Sequence, residues 1–253
     1  MKFEFFTVFF FRRRITIDRC FSREKGQPLC MEQYYRLFSS YRYPGTNKDD
    51  LIDTSTNLAL KPEHVIVICQ NQMYVLDLVV NFSRLDEDQI YEQLKRIKHQ
   101  SEREDKTSMY FASVGYLTSL PRNEWSQVRE NLISESAVNL ESLRNIERCI
   151  CVICLDKKIN VEAVGDLNSP SHEENETHTI EKQKSGNLKE EINLTRVAFQ
   201  MLHGCKTNSG NRWFDKPIQF IVSDNGCCGL CYERSSAEAI VISDVCQHII
   251  RFM

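Results

Sequence analysis

The sequence lacks the features that announce the common enzyme classes. Neither the G-x-G-x-x-G nor the G-x-x-x-x-G-K-[ST] spacing occurs, which removes the usual dinucleotide and P-loop readings, and there is no G-x-S-x-G nucleophile elbow. No sign of charge dominates. Lys and Arg number 32 against 35 Asp and Glu, a formal charge of -3, so neither nucleic acid nor an anionic membrane is an expected partner. The mostly aromatic stretch Phe3 to Phe11 is far shorter than the ~20 apolar residues a spanning helix requires. It precedes Arg12-Arg13-Arg14, the reverse of the order in a secretory signal. It reads as a short strand or a segment foreign to the fold, with an unusual membrane-targeting role as the alternative. The C-x-x-C spacings, Cys228 to Cys231 and Cys151 to Cys154, both fall on strand-like runs, so no structural zinc site is expected.

What is present suits a globular protein. With 253 residues, 42% hydrophobic and 26% charged, the chain can build one large domain or two small ones. Its eleven cysteines are odd in number and lie mostly in apolar, strand-like runs such as Arg148-Cys149-Ile150-Cys151-Val152-Ile153-Cys154. Free cysteine packs there as a small hydrophobe, which points to a reducing, cytoplasmic compartment.

Periodicity supplies the elements. His64 to Cys69 and Met73 to Val80 read as two strands of a hairpin around Gln70-Asn71-Gln72. Asp86-Glu87-Asp88 opens a helix whose Ile90, Leu94 and Ile97 share a face, the acids complementing its N-terminal dipole. Phe111 to Leu117 reads as a strand. Pro121 starts a helix with Trp125, Val128 and Leu132 inward, and a second helix carries Leu140, Leu143 and Ile146 into a strand at Cys149 to Leu155. Residues 157 to 191 are polar and nearly free of aromatics, a composition expected of a disordered insertion. A helix from Ile192 to Leu202 follows, then a polar stretch from His203 to Asn211. A hairpin of Pro217 to Ser223 and Cys228 to Glu233 turns at Asp224-Asn225-Gly226, and a last helix spans Ala237 to Met253. The fold class expected is α/β, an α+β mixed sheet with flanking helices.

Few residues remain for chemistry. Cys228 and Cys231 lie three apart on a strand and so face opposite sides, while Cys149, Cys151 and Cys154 are expected in the core. Asp244 and His248 form an acid and base pair or, more simply, an i,i+4 surface contact. The segment Asn208 to Lys216 followed by Tyr232 to Glu238 stands out. Read locally, it is a polar loop anchored by Trp213 and Phe214, with Arg212 paired to Asp215.

Taken together, Pro28 to Tyr35, Phe38-Ser39-Ser40-Tyr41-Arg42 with Pro44-Gly45, Met201-Leu202-His203-Gly204, and Asn211-Arg212-Trp213-Phe214-Asp215-Lys216 resemble the choline/carnitine acyltransferase family from about Gly26 to Met253. Glu63 to Val67, Val75-Leu76-Asp77 with Val80-Asn81-Phe82, and Ile146 to Cys151 are most similar to its choline branch. Asn208-Ser209-Gly210 and Ala237-Glu238 are more similar to its carnitine branch.

The resemblance implies acyl transfer between coenzyme A and a quaternary-ammonium alcohol, with acetyl-CoA as co-substrate and choline as acceptor. It also implies one domain of a two-domain architecture, incomplete here. Residues 1 to 25 are expected to fall outside the match and 26 to 253 to form the partial domain. In the family motif a histidine acts as general base, preceded by Glu and followed four residues later by an orienting carboxylate. Carried over, Glu233 matches the preceding acid and Glu238 the orienting carboxylate, but position 234 is Arg234. A guanidinium titrates above pH ~12 and has no free lone pair, so Arg234 is not competent as a base. No coenzyme A ligand is assigned. The expected function is that of an acyltransferase relative of the choline branch, inactive through Arg234 and truncation. A fragment of the carnitine branch and a non-catalytic interaction module are the alternatives.

Overall fold

The computed structural model describes residues 23–24, 26–28, 30, 32–38, 40–53, 63–104, 113–158, 194–205 and 207–252. The Phe3 to Phe11 stretch and nearly all of the 157 to 191 insertion lie outside them. In chain order the elements are β1 (Arg23–Glu24), β2 (Gln27–Pro28), α1 (Glu32–Leu37), β3 (Ser40–Tyr43) and β4 (Asp50–Asp53), then β5 (His64–Cys69) and β6 (Gln72–Asp77). After β7 (Val79–Val80) and β8 (Ser83–Arg84) come α2 (Glu87–Glu104), a 3₁₀ helix (Val114–Ser119), α3 (Arg122–Glu135) and α4 (Ala137–Arg148). They are followed by β9 (Val152–Asp156), α5 (194–203), β10 (Ile218–Ser223), β11 (Cys228–Tyr232) and α6 (Ala239–Phe252).

A five-stranded mixed sheet in the order β11-β10-β9-β5-β6 organises the chain. The three central strands are parallel, and each outer hairpin adds one antiparallel strand. Central strands buried on both faces need continuous apolar sequence, and His64 to Cys69 and Val152 to Asp156 supply it. Alternation sorts their side chains. Val65, Val67, Cys69, Cys151 and Ile153 face one core with Ile90 and Ile97 of α2 and Val241, Ile242 and Val245 of α6. Ile66, Ile68, Val152 and Cys154 face the other, with Trp125 of α3, Leu143 and Ile146 of α4, Met201 of α5, and Trp213. Helices therefore cover both faces, and the expected α/β class holds.

Local chemistry fixes the boundaries. β5 and β6 turn through Gln70 and Asn71, both at positive φ (51° and 66°), and the Asn71 N–H donates to Asn211 Oδ1 at 2.8 Å. The second strand of this hairpin is shorter than its apolar run suggests. Pairing with β5 ends at Asp77, and Val79–Val80 instead pairs with Ser83–Arg84 around a left-handed Asn81-Phe82 turn. At α2, Asp86 Oδ1 accepts the Gln89 N–H at 2.8 Å and Gln89 Oε1 accepts the Asp86 N–H at 2.9 Å, a reciprocal cap. The last hairpin has a three-residue loop, Asp224-Asn225-Gly226, with Gly226 at φ 87°.

One expectation fails. The C-terminal part of the expected strand at Phe111 to Leu117 belongs to the 3₁₀ helix over Val114–Ser119; residues 111 and 112 lie outside the described set. Thr118 Oγ1 and Ser119 Oγ donate to the carbonyls of Gly115 and Tyr116, at 2.8 and 2.7 Å. Such local hydroxyl bonds offer the backbone an alternative to a sheet ladder.

Candidate functional site

β11 leads directly into the segment that the sequence singles out. The Glu233 N–H donates to the Pro217 carbonyl at 2.9 Å, the last rung between the hairpin strands. Beyond it the chain turns through Arg234, Ser235 and Ser236 before α6. Glu233 Oε2 accepts the Ser235 N–H at 2.9 Å and the Ser235 hydroxyl as well, so this carboxylate closes a turn around position 234. Arg234 Nη2 reaches Glu238 Oε2 at 3.4 Å, with 78% and 62% of the two side chains exposed. Such an exposed pair adds little to stability. The Glu238 N–H donates to Gln33 Oε1 at 2.8 Å, tying the start of α6 to α1. Nearby, the Tyr34 hydroxyl donates to Asp244 Oδ2 at 2.7 Å, so Asp244 is held by a residue of α1.

This turn lines a cleft of about 830 Å³ together with Arg42, the loop from Gly45 to Leu51, Arg122 and Asn123. No histidine is among its lining residues. Among the described residues no group of three His, Cys, Asp or Glu side chains is placed to hold a metal. The C-x-x-C pair splits as its strand position predicts, Cys228 exposed and Cys231 buried. Partial desolvation by its surroundings, with Cys227 beside it, pushes the Cys228 thiol up to about 11 although its surface is exposed. Cys149, Cys151 and Cys154 are core residues, and burial raises all three thiols.

The Asn208 to Lys216 segment lies under the cleft, and its charges pair differently from the local reading. Arg212 does not bind Asp215. It is fully buried against Asp156 at the end of β9, with Nη1 to Oδ1 at 2.9 Å and Nη2 to Oδ2 at 2.8 Å. Its remaining donors reach the carbonyls of Met201, Gln200 and Asn211 at 3.2, 2.7 and 2.9 Å, so all five N–H groups are used. Burial pushes the Asp156 carboxyl up, opposed by the Arg212 fork.

Asp215 turns the other way. Oδ1 accepts from Arg122 Nη1 at 2.6 Å, and Oδ2 accepts from Trp125 Nε1 at 2.6 Å and from the Tyr41 hydroxyl at 3.3 Å. Burial raises this carboxyl, while Arg122 and Trp125 act to lower it. Lys216 is wholly buried, its Nζ donating to the Glu147 carbonyl at 3.0 Å, and burial lowers its pKa. Trp213 meets Trp125 edge to face with centroids 5.9 Å apart.

A further pair of links brings this buried network to the turn. Arg122 Nε and Arg42 Nε both donate to Asp49 Oδ2 at 2.7 Å, and Arg42 Nη1 donates to Glu233 Oε1 at 3.2 Å. Burial acts to raise the Asp49 carboxyl, but the Gly45 N–H and the two guanidiniums outweigh it and hold it below the usual range. Arg42, Asp49 and Arg122 are thus part of the site although sequence spacing gave them no role there. Only the word Tyr41-Arg42 with Pro44-Gly45 hinted at it, and pairing between residues up to 191 positions apart leaves no periodic signal.

The family model described as choline/carnitine O-acyltransferase matches residues 6–253, beginning inside the stretch set apart above. The choline O-acetyltransferase of Danio rerio is 38% identical over 243 residues, 95% of this chain and 33% of that protein. That of Mus musculus is 41% identical over 230 residues, 90% of the chain and 31% of that protein. The carnitine O-acetyltransferase of Mus musculus is 36% identical over 230 residues, 90% of the chain and 32% of that protein. The chain thus spans about a third of the length of the curated relatives it matches.

Proposed function

The chain belongs to the choline/carnitine O-acyltransferase family, and from that premise we propose that it is a choline O-acetyltransferase-like chain in which the general-base position is held by Arg234. The family reaction moves an acetyl group from acetyl-CoA to the hydroxyl of choline. A base must take the hydroxyl proton as the oxygen attacks the thioester, and an imidazole titrating near pH ~6.5 suits that task. A guanidinium has no lone pair free to accept that proton. Loss of a general base alone lowers a rate by roughly 10² to 10⁴. The reading is carried by one observation: the residue four positions after Arg234 is Glu238, and it forms an ion pair with Arg234, which lines the cleft. The orienting carboxylate is thereby turned onto a cation that cannot accept a proton.

Choline is favoured over carnitine as the acceptor of the parent reaction by the higher identity to choline O-acetyltransferases, 38% and 41% against 36%. A cytoplasmic location is proposed from the free thiols of the described cysteines, which suit a reducing compartment. Among the described residues no helix is long and apolar enough to cross a membrane.

The test is an acetyl-transfer assay on the purified 253-residue chain with acetyl-CoA and either choline or carnitine. No ester above the uncatalysed background is expected, and Arg234→His in these residues alone leaves that unchanged, since two thirds of the relatives' length has no counterpart in them. Turnover by the unmodified chain at the rate of a choline O-acetyltransferase overturns the reading. The intact mass of the endogenous protein decides whether a longer product exists, in which case Arg234→His is expected to raise its transfer rate at least a hundredfold.

A further inference from the structure

We propose that Arg42 is the positioning residue for position 234, acting through Glu233 and held in place by Asp49; this rests on the reading of 234 as the general-base position. The Arg234–Glu238 pair is too exposed to fix the backbone that carries it. Glu233 is not. Only 15% of its side chain is exposed, and its two oxygens bracket the neighbouring residue. Oε2 holds the Ser235 N–H at 2.9 Å, and Oε1 is held by Arg42 Nη1 at 3.2 Å. With the Glu233 N–H bound to the Pro217 carbonyl, the chain is pinned at the peptide entering Glu233 and at the peptide leaving residue 234.

Arg42 is itself immobilised at three points. Its N–H donates to the Asp215 carbonyl at 3.0 Å, its Nε donates to Asp49 Oδ2, and its Nη1 donates to Glu233. Asp49, with 13% of its side chain exposed, is fixed by the Gly45 N–H at 3.1 Å and by Arg122. Arg122 in turn rests on Asp215, whose other oxygen is bound by the buried Trp125. Signs alternate from Asp215 through Arg122, Asp49 and Arg42 to Glu233, and the chain starts from a carboxylate that is almost wholly buried, Asp215. The core thus reaches the turn through an unbroken series of ion pairs, braced by the Arg42 and Gly45 N–H groups. A guanidinium is needed at position 42 because two donors must diverge from one rigid plane toward Asp49 and Glu233, which a single ammonium cannot reproduce.

The test uses the 253-residue chain carrying Arg234→His, whose introduced imidazole reports its surroundings by ¹⁵N NMR titration. The charges lining the cleft with it are Arg42, Lys48, Asp49, Asp50, Arg122 and Glu233, with Glu238 four residues on. Arg42→Lys keeps the positive charge and removes the fork. It is expected to speed exchange of the Ser235 amide about tenfold and to move the titration midpoint of the imidazole. Glu233→Gln, which spares the Asp49 contacts, is expected to produce the same two changes if Arg42→Lys fails to fold. An unchanged midpoint in either folded variant overturns the proposal, even with faster Ser235 exchange, because Arg42 would then be structural only. These readouts need no turnover. Failure of the general-base reading appears only in the transfer assay and leaves them untouched.

Discussion

Removing the Asp156 carboxylate is the sharpest perturbation of this structure. Arg212 is completely buried and spends all five donors, two of them on Asp156 and three on main-chain carbonyls. Asp156→Ala leaves its guanidinium charge without a counter-ion in the core, which costs about 3 to 5 kcal/mol. Arg212→Met is expected to cost about the same, since it strands the carboxylate. The double replacement Arg212→Met with Asp156→Leu behaves differently. No charge is left buried, but the carbonyls of Met201 and Asn211 lose their Arg212 donors; that of Gln200 still accepts the Gly204 N–H at 2.8 Å. At about 1 to 3 kcal/mol for each unsatisfied group, the double variant is expected to lose roughly 2 to 6 kcal/mol. The singles sum to roughly 6 to 10 kcal/mol, so a coupling near 4 kcal/mol follows. Equilibrium unfolding in urea measures it, followed by far-ultraviolet circular dichroism and by the fluorescence of Trp125 and Trp213, both fully buried. Additive singles would refute the argument, as would a loss below about 1 kcal/mol for Asp156→Ala.

Two further outcomes are expected. Burial lowers the pKa of Lys216, so between that lowered value and the ordinary ~10.4 the unfolded chain binds more protons than the folded one, and stability rises with pH across that window. Its share of the slope is at most ~1.4 kcal/mol per pH unit, and urea midpoints from pH 7 to 10 should lose that upward component in Lys216→Met while keeping it in the parent. Gly115→Ala would bring a Cβ within 2.3 Å of the Gly210 carbonyl oxygen and 2.5 Å of that of Arg212, both backbone atoms. The variant is expected to lose about 1 to 3 kcal/mol, visible as a lowered thermal midpoint, and an unchanged midpoint would mean that this loop moves aside freely.

Much of the fold was legible because it rests on local periodicity. The continuous apolar run of His64 to Cys69 commits that strand to burial on both faces, and the three- and four-residue spacing of Ile90, Leu94 and Ile97 commits a helix to one face. The 3₁₀ helix was not legible, since Val114 to Leu117 looks β-forming until Thr118 and Ser119 bond back onto it. At the site, Arg234 and Glu238 follow from a motif and do lie together, whereas Arg212 was assigned the wrong partner. Three residues of separation made Asp215 plausible, but the Asp156 carboxylate sits 56 positions away, at the end of a parallel strand that only the sheet order brings near.

The segment from Asn208 to Lys216 also bears on how a family is recognised. Asn208 pairs with both the N–H and the carbonyl of Lys157, at 2.8 and 2.9 Å, as a neighbouring strand residue would. Asn211 joins the β5–β6 turn to the Leu155 carbonyl, and Arg212, Asp215 and Lys216 hold three other parts of the chain. The words that make this sequence easiest to assign are therefore instructions for assembly. They hold this sheet together whether or not a proton is ever moved on the neighbouring hairpin, so a match to them speaks to the fold and says nothing about turnover.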